Sequence, residues 1–592
     1  MPPIFQKGGA IEMQMGSNSF YKPSVDFYGP LNKNIAYRFV GTYQNAESFR
    51  DFVKSERYYI NPSFLFKLSD KTEILLQGDY LNDDWTPDFG TGAIGKEIAD
   101  IPRNKYLGAT WSNGHTEQTS VSILLNHKLN HNWNLNFNTA FQNFSRTSKG
   151  TERIQPKENP YGDWDRPLGQ NKALEQIAGD QISLQGNFAT GKIKHQLFTG
   201  IDFDNTFAEA YTYAFLEKGT DGKDLYPKGI YDQINIFDYT YDQQNNIIPV
   251  GTNTKIVKTE TNRFGIYFQD LISITEKFKV LAGLRWSWQE ADANTTQLNL
   301  DTNQWEPLPP TKPAIPTKRN DQAFSPKIGL IYQPNKEMSI FASYADSFIP
   351  NSGTDIYGAT IEPSIINQYE VGVKKDFWKG LLTTNVTLYH IVNSNLAQTA
   401  PFKLDGTDNA DTTVKVLGGE TTSKGIEIDI TARPLEGFSI MAGYSYNDMR
   451  YTDTSGTNGS YVEGDRVVRT PANTANLSFF YTLPSGVLKG LSFGAIGNYI
   501  GDRLGGWNDD YLWTEIKPET TPKTYVVTIR DRDIPLEAYT TIDVSAGYTW
   551  KQFSILCKLS NITNELNYTV HENYSVNPIA PRQIMTSLKY QF

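Results

Sequence analysis

The feature that most constrains this chain is an alternation of apolar and polar residues that recurs from one end to the other. In "NWNLNFNTAF", Trp133, Leu135 and Phe137 fall on one face of an extended strand, and the asparagines between them fall on the other. "QISLQGNF", "KGIEIDITA" and "TTIDVSAGYTW" repeat the pattern, whereas helical periodicity is scarce. The sequence therefore predicts an all-β protein.

The connections between these segments are of two kinds. Ten are short and rich in turn residues, as in "GPLNKN", "QPNKE" and "TWKQF". The others are long, polar and rich in Gly, Asp, Asn and aromatic residues, most clearly in residues 82–118, 143–180, 206–262 and 501–537. The two kinds are expected to alternate strictly, which places all short turns at one end of the sheet and all long loops at the other.

Ten short turns, with an opening and a closing strand left over, give an even count of 22 strands. Each strand needs about 9–11 residues to cross a bilayer. The last segment, "MTSLKYQF", is expected to pair with "GGAIEMQMG" near the other end, so that closure removes both sheet edges. Residues 1–592 are thus predicted to form one 22-stranded antiparallel transmembrane β-barrel with short periplasmic turns and long extracellular loops.

Composition limits the other classes of protein. The net charge of −10 argues against nucleic acid as a partner, because a nucleic-acid binder needs a basic surface. No stretch of 18 apolar residues predicts a transmembrane helix, and Cys557 is the only cysteine. A large soluble all-β protein, such as a propeller or tandem sandwiches, is the alternative. Its blades would repeat every 40–50 residues or so, whereas the hairpin spacing here is irregular.

Several stretches, taken together, resemble the barrel of TonB-dependent siderophore receptors of the ferrichrome/hydroxamate type. The resemblance to the family's first strands lies in "GSNSFYKPSVDFYGPLNKNIAYRFVGTYQNAESFRDF". The resemblance to its central part lies in "FSPKIGLIYQPNKEMSIFASYADSFIPNSG" and "IEPSIINQYEVGVKKDFWKGLLTTNVTLYHIVNSNL". The resemblance to its last third lies in "TTSKGIEIDITARPLEGFSIMAGYSYNDMRY", "RTPANTANLSFFY" and the closing "APRQIMTSLKYQF".

The resemblance implies uptake of ferric siderophores across the outer membrane of a Gram-negative bacterium. Iron would arrive only as the siderophore complex, with no cofactor. Expected partners are the ferric siderophore, outer-membrane lipid and lipopolysaccharide, and the barrel-assembly machinery through the C-terminal strand. The family's signal peptide and plug are expected to be absent, because Met1 stands almost at the first strand. Contact with TonB would then need a plug that is truncated, lost to a mis-assigned start or supplied separately.

Aromatic residues in the long loops are the candidate ligand contacts, since siderophore sites combine rings with a few polar groups. They are Trp85, Phe89, Tyr211, Tyr213, Phe215, Trp507, Tyr511 and Trp513. The alternative for each ring is an interfacial girdle or loop packing. A second set of rings is expected to form the membrane girdle at the periplasmic end: Tyr548, Trp550, Tyr590 and Phe592.

Other motifs do not indicate catalysis or a metal site. His127 and His131 flank a turn and lack the glutamate of a zinc helix, and "DGTDNADTT" from Asp405 lacks the register of a calcium loop. No nucleophile elbow or phosphate-binding loop is present, so an enzyme is not expected. The function predicted is a TonB-dependent siderophore receptor; the alternative is an ungated pore or ligand-binding barrel without a plug.

Overall fold

A computed structural model of the chain shows a closed antiparallel β-barrel. It describes all residues except 1, 153–160, 245–246, 309–317, 358, 401–413, 455–459, 507, 511–513, 516–524, 527–528 and 573–574. The described residues form 22 barrel strands, numbered here in chain order. These are β1 Gly8–Gly16, β2 Phe20–Asn32, β3 Ile35–Glu47, β4 Lys54–Lys67, β5 Thr72–Trp85, β6 Asn113–Lys128, β7 Trp133–Thr151, β8 Asp163–Thr190, β9 Ile193–Ala214, β10 Thr252–Ser273, β11 Phe278–Asn299, β12 Lys318–Asn335, β13 Met338–Ile349, β14 Ser364–Phe377, β15 Leu382–Ser394, β16 Glu420–Leu435, β17 Phe438–Asp453, β18 Asn473–Thr482, β19 Leu491–Ile500, β20 Tyr539–Trp550, β21 Phe553–Ser560 and β22 Gln583–Gln591.

The remaining elements are short. Three 3₁₀ helices are Pro227–Gly229, Tyr241–Gln243 and Trp378–Gly380. Short strands are Ala93–Ile94, Glu97–Ile98, Ile230–Asn235, Gln304–Pro307, Ala397–Thr399, Lys415–Leu417, Arg503–Gly505, Asp509–Asp510, Thr514–Glu515, Tyr525–Val526, Ile529–Arg530, Ile534–Leu536, Tyr568–Glu572 and Ser575–Pro578. Within the described parts of the chain, no helix has the length and apolar character needed to span a membrane.

The barrel closes where β1 pairs with β22, from Ala10 opposite Gln591 to Gly16 opposite Met585. The predicted pairing of the two terminal segments and the count of 22 strands are confirmed. Closure needs tight backbone contact at this seam: a Cβ on Gly9 would come within 2.6 Å of the Asp26 carbonyl oxygen and 2.7 Å of the Phe592 ring. The terminal strand therefore has no free edge.

All ten predicted short turns join consecutive strands at one end of the barrel, which we call the turn rim. The other end, the loop rim, carries eleven connections. The expectation that short and long connections alternate strictly was wrong, because residues 17–19 and 48–53 are short links at the loop rim. The strands β7 to β11 also project far beyond the others, since β8 alone has 28 residues.

The two faces of the wall differ as the alternation predicts. Large apolar side chains on the outer face, including Ile182, Phe203 and Phe268, are exposed because no protein covers them. The inner face carries ion pairs such as Arg285 with Asp202, whose two nitrogen–oxygen distances are both 2.7 Å. An apolar exterior around a polar interior is the arrangement of a membrane barrel.

Candidate functional site

The loop rim carries a packed layer of its own, built from the long connections 86–112 and 215–251 and from the projecting end of β8. In that end, Asp163–Pro167 pair with the short strand Ile230–Asn235. The alternation of β8 continues here and points Trp164 and Arg166 into the layer. The apolar side chains that pack together around Trp164 are Ala99, Ile101, Leu107, Ile234, Ile236 and Tyr239. We call this cluster and the residues that contact it the outer layer.

A buried ion pair lies in the outer layer. Arg166 is 0% exposed, and its guanidinium binds both carboxylate oxygens of Asp232, at 2.6 Å and 2.5 Å. It also donates to the Leu107 carbonyl oxygen and the Tyr239 hydroxyl, each at 3.3 Å. Burial alone would lower the pKa of Arg166, but Asp232 and Tyr239 outweigh it and raise that pKa. The guanidinium is therefore held charged and fixed.

Two further arginines tie connections at the loop rim to one another, and one of them, Arg50, reaches the outer layer. Arg50, which follows β3, binds Asp88 at 3.0 Å and the Arg103 carbonyl oxygen at 2.9 Å. Arg503 donates to the Glu537 carbonyl oxygen and to Asn567, so it joins the connection after β19 to the one after β21. Because each buried guanidinium satisfies several backbone or side-chain acceptors, the loop rim is a preorganised surface.

Residues 90–92 lie where two connections meet the projecting end of β8. Thr91 exchanges two backbone hydrogen bonds with Val576, at 2.7 Å and 3.1 Å. A Cβ on Gly92 would lie 1.8 Å from the Trp164 ring, and one on Gly90 would lie 2.3 Å from the Val576 carbonyl oxygen. Only glycine allows such a close approach of backbone to ring and backbone to backbone here.

Trp85 is the predicted ligand residue that the structure places on the inner face of the barrel wall. It ends β5, on the same face as Asp83, which is paired with Arg57 at 2.6 Å. The indole nitrogen donates to the Thr116 hydroxyl at 3.1 Å, and the Arg146 guanidinium lies 4.5 Å from the ring centroid. The expectation that Trp85 lies in a loop was wrong: it belongs to a strand, and its partner there is Gly114.

Phe89 and Phe215 belong to the outer layer. The Phe89 carbonyl oxygen accepts a hydrogen bond from the Ser575 hydroxyl. Phe215 packs edge-on against Tyr226, with ring centroids 6.4 Å apart. The contact described for Phe215 is therefore ring packing within the layer, whereas the one described for Phe89 involves its backbone and the connection after β21.

Tyr211 and Tyr213 lie on strand β9 and not in a loop, contrary to the expectation. Tyr211 shares the outer face of that strand with Ile201 and Phe203, while Trp85 is on the inner face of the wall. Its hydroxyl donates to Glu209 at 2.5 Å, and the Lys172 ammonium lies 4.9 Å from its ring centroid. The structure therefore does not bring Tyr211 together with Trp85.

The remaining predicted residues are placed as follows. Trp507, Tyr511 and Trp513, like the whole segment 405–413, lie outside the described residues. Tyr548, Trp550, Tyr590 and Phe592 lie at the turn rim on the outer face, where Tyr590 packs against Phe553 with centroids 4.8 Å apart. Their role as a girdle stays a prediction. His127 bonds the Thr72 hydroxyl at 2.9 Å, and no group of three metal-ligating side chains occurs among the described residues.

Sequence reasoning missed Arg146 and Arg166. Both fall in residues 143–180, which were assigned to a loop. The signal for Arg146 was available, because it continues the polar face of "NWNLNFNTAF" along the same strand. Arg166 could be placed only with knowledge of its partner Asp232, 66 residues away.

Comparison with known proteins identifies the type of barrel. Residues 59–564 match the family described as TonB dependent receptor-like, beta-barrel. The metal-pseudopaline receptor CntO of Pseudomonas aeruginosa (strain UCBPP-PA14) is 24% identical over 614 residues, covering 100% of this chain and 76% of that protein. The ferrichrome outer membrane transporter/phage receptor of Escherichia coli (strain K12) is 24% identical over 520 residues, covering 84% and 64%.

A solved structure shows the same fold. The siderophore receptor PiuA from Acinetobacter baumannii has a TM-score of 0.81 and 19% sequence identity, covering 100% of this chain and 82% of that one. These relatives are described as receptors and a transporter, so the alternative of an ungated pore is not favoured. Since the family match spans well over half of the chain, the protein belongs to the TonB-dependent receptor-like β-barrels of the Gram-negative outer membrane, in which short turns face the periplasm and long loops face outside.

Proposed function

We propose that this protein captures a ferric siderophore at the loop rim for uptake across the outer membrane. The observation that carries the proposal is the pairing of Trp85 with Arg146 on the inner wall, at the end of β5 from which connection 86–112 of the outer layer begins. The indole offers a rigid apolar surface to the organic shell of a chelate. The guanidinium offers a charge to the metal-binding oxygens.

Three features of Arg146 support this role. The residue is exposed, and no carboxylate of the described residues lies within 4.0 Å of its charged nitrogens. Its position over the Trp85 ring restrains the guanidinium without using all its hydrogen-bond donors. An arginine held in this way can donate hydrogen bonds to the metal-binding oxygens of an incoming chelate, whether the complex is neutral or anionic.

Hydroxamate complexes are the first class of ligand to test, with iron as cargo and not as a resident cofactor. The resemblance of the barrel segments to ferrichrome-type receptors supports this choice. So does the similarity to proteins named as the ferrichrome transporter and as a ferrioxamine B receptor of Salmonella typhimurium (strain SL1344), the latter 25% identical over 541 residues. Other ferric or metal chelates are the comparison set.

Trp85→Ala is expected to weaken binding of the matching ferric siderophore by about tenfold, because it removes one buried aromatic contact worth about 1.4 kcal/mol. Arg146→Ala is expected to weaken anionic complexes more than neutral ones. The measurement is titration of the purified barrel in detergent with ferric and iron-free forms of single siderophores. Trp133→Ala is the matched control, because Trp133 lies on the outer face at the opposite rim, stacked on Phe188.

The proposal fails if no ferric siderophore binds, or if Trp133→Ala and Trp85→Ala lower the affinity equally. Iron-limited growth of a strain that lacks the gene, supplied with single siderophores, checks uptake in the cell. Growth on the same compound that binds in the titration is the expected result.

A further inference from the structure

The periplasmic turn rim carries a ring of positive charge. Eight of the ten turns contain a lysine, and all eight lysines are exposed, among them Lys33, Lys192, Lys336 and Lys489. The same ten turns contain only four acidic residues, although the whole chain has a net charge of −10. Positive charge is therefore concentrated at this end of an otherwise acidic protein.

Exposed apolar side chains accompany these lysines. Leu31 is 60% exposed beside Lys33, and Trp378 is 71% exposed beside Lys379. Leu68 and Leu488 occupy the corresponding places in two other turns that contain a lysine. A lysine ammonium next to an exposed apolar side chain suits the boundary of the bilayer, where the ammonium meets lipid headgroups and the apolar side chain meets acyl chains.

The barrel seam adds a shaped site to this ring. A groove of about 510 Å³ opens on the outer face between β1 and strands β20 to β22. Its apolar lining includes Ile11, Met13, Phe553 and Leu588. Trp550 also lines the groove, and the Lys551 ammonium lies 5.0 Å from its ring centroid.

We propose that the turn rim binds anionic phospholipid of the periplasmic leaflet, and that the seam groove holds one acyl chain of a lipid whose phosphate is bound by Lys551 at the turn. An anionic headgroup fits better than a zwitterionic one, because the ammonium of the latter would meet further lysines around the ring. The groove favours a lipid over a polyanionic polymer, since a polymer has no chain to place among these side chains.

The first test compares the lipids that remain bound to the barrel. The protein is taken from nanodiscs of mixed phosphatidylethanolamine and phosphatidylglycerol and analysed by native mass spectrometry. Lys→Gln changes at Lys33, Lys192, Lys336 and Lys489 are expected to lower the enrichment of phosphatidylglycerol, by roughly fivefold for each lysine that no longer binds a phosphate. Four exposed lysines of the loop rim, changed in the same way, form the control: Lys54, Lys218, Lys223 and Lys228.

Equal enrichment in both variants, or none in the unchanged protein, would overturn the proposal. Binding of a soluble polyanion, with no lipid preference, would also overturn it. Heat-modifiable migration on a gel confirms that each variant is a folded barrel.

The second test reports on the seam itself through Cys557, the only cysteine, which lies two residues from Ile555 on β21. A fluorophore on Cys557 is expected to be quenched more by brominated phosphatidylglycerol than by brominated phosphatidylethanolamine. Lys551→Gln should remove this difference, while Lys336→Gln, in a distant turn, should leave it. The same decrease in both variants, or no difference in the unchanged protein, would exclude a seam site.

Discussion

Arg166→Met is expected to lower the free energy needed to open the outer layer by about 3–5 kcal/mol, while the barrel stays closed. The change leaves the Asp232 carboxylate, only 21% exposed, without its cation, and leaves the Leu107 carbonyl and Tyr239 hydroxyl without a donor. Removing one partner of a buried pair costs this much because the other charge stays desolvated. The cost falls on the layer and not on the strands below, because the wall is held by its own hydrogen-bond ladder.

Hydrogen exchange measures this effect residue by residue. Amides of residues 86–112 and 230–239 should lose protection in Arg166→Met, and a protease should cut there sooner. Arg263→Met is the matched control, since Arg263 pairs with Asp204 at 2.8 Å but is 46% exposed. An exposed ion pair contributes no more than about 1 kcal/mol to the stability of the folded state. Equal loss of protection in both variants, or loss along the whole barrel, would contradict the prediction.

The barrel could be predicted from sequence because its turns and strand faces are specified by residues that lie close together in the chain. Each short turn, such as "PNKE" or "WKQF", is specified by residues next to one another, and all ten were found. The apolar half of each strand must face lipid, so Ile182, Phe203 and similar residues mark the face directly. Closure then follows from the even count and the pattern of the terminal strands.

The loop rim could not be predicted in the same way. Strands β5 and β9 continue beyond the bilayer, where no lipid requires an apolar face, so the sequence pattern predicts loops at their ends. Trp85 and Tyr211 were therefore expected in loops, although one lies on the inner face and the other on the outer face of the wall. The outer layer depends on contacts between distant segments, as between Thr91 and Val576, which no local pattern reveals.

The difference between the two faces of the wall leads to the second large effect. Leu330→Lys is expected to destabilise the barrel by about 2–4 kcal/mol, because it places a charge on the lipid face near the bilayer midplane. Leu330 is 47% exposed and stands five residues before the end of β12. At about 3.3 Å per residue and a tilt of about 40°, that is about 13 Å above the turn, half the height of the apolar band.

Lys327→Leu, on the same strand, is the matched control. Lys327 lies on the inner face opposite Gly283 and Ala345, where water reaches it, so its removal should change the free energy of unfolding by less than about 0.5 kcal/mol. Denaturant titration of the barrel in lipid vesicles, followed by tryptophan fluorescence, measures both variants. Equal changes in the free energy of unfolding would mean that lipid and water are not on opposite faces of the wall at this depth. A larger change for Lys327→Leu would reverse the assignment of inner and outer face, on which the site at Trp85 depends.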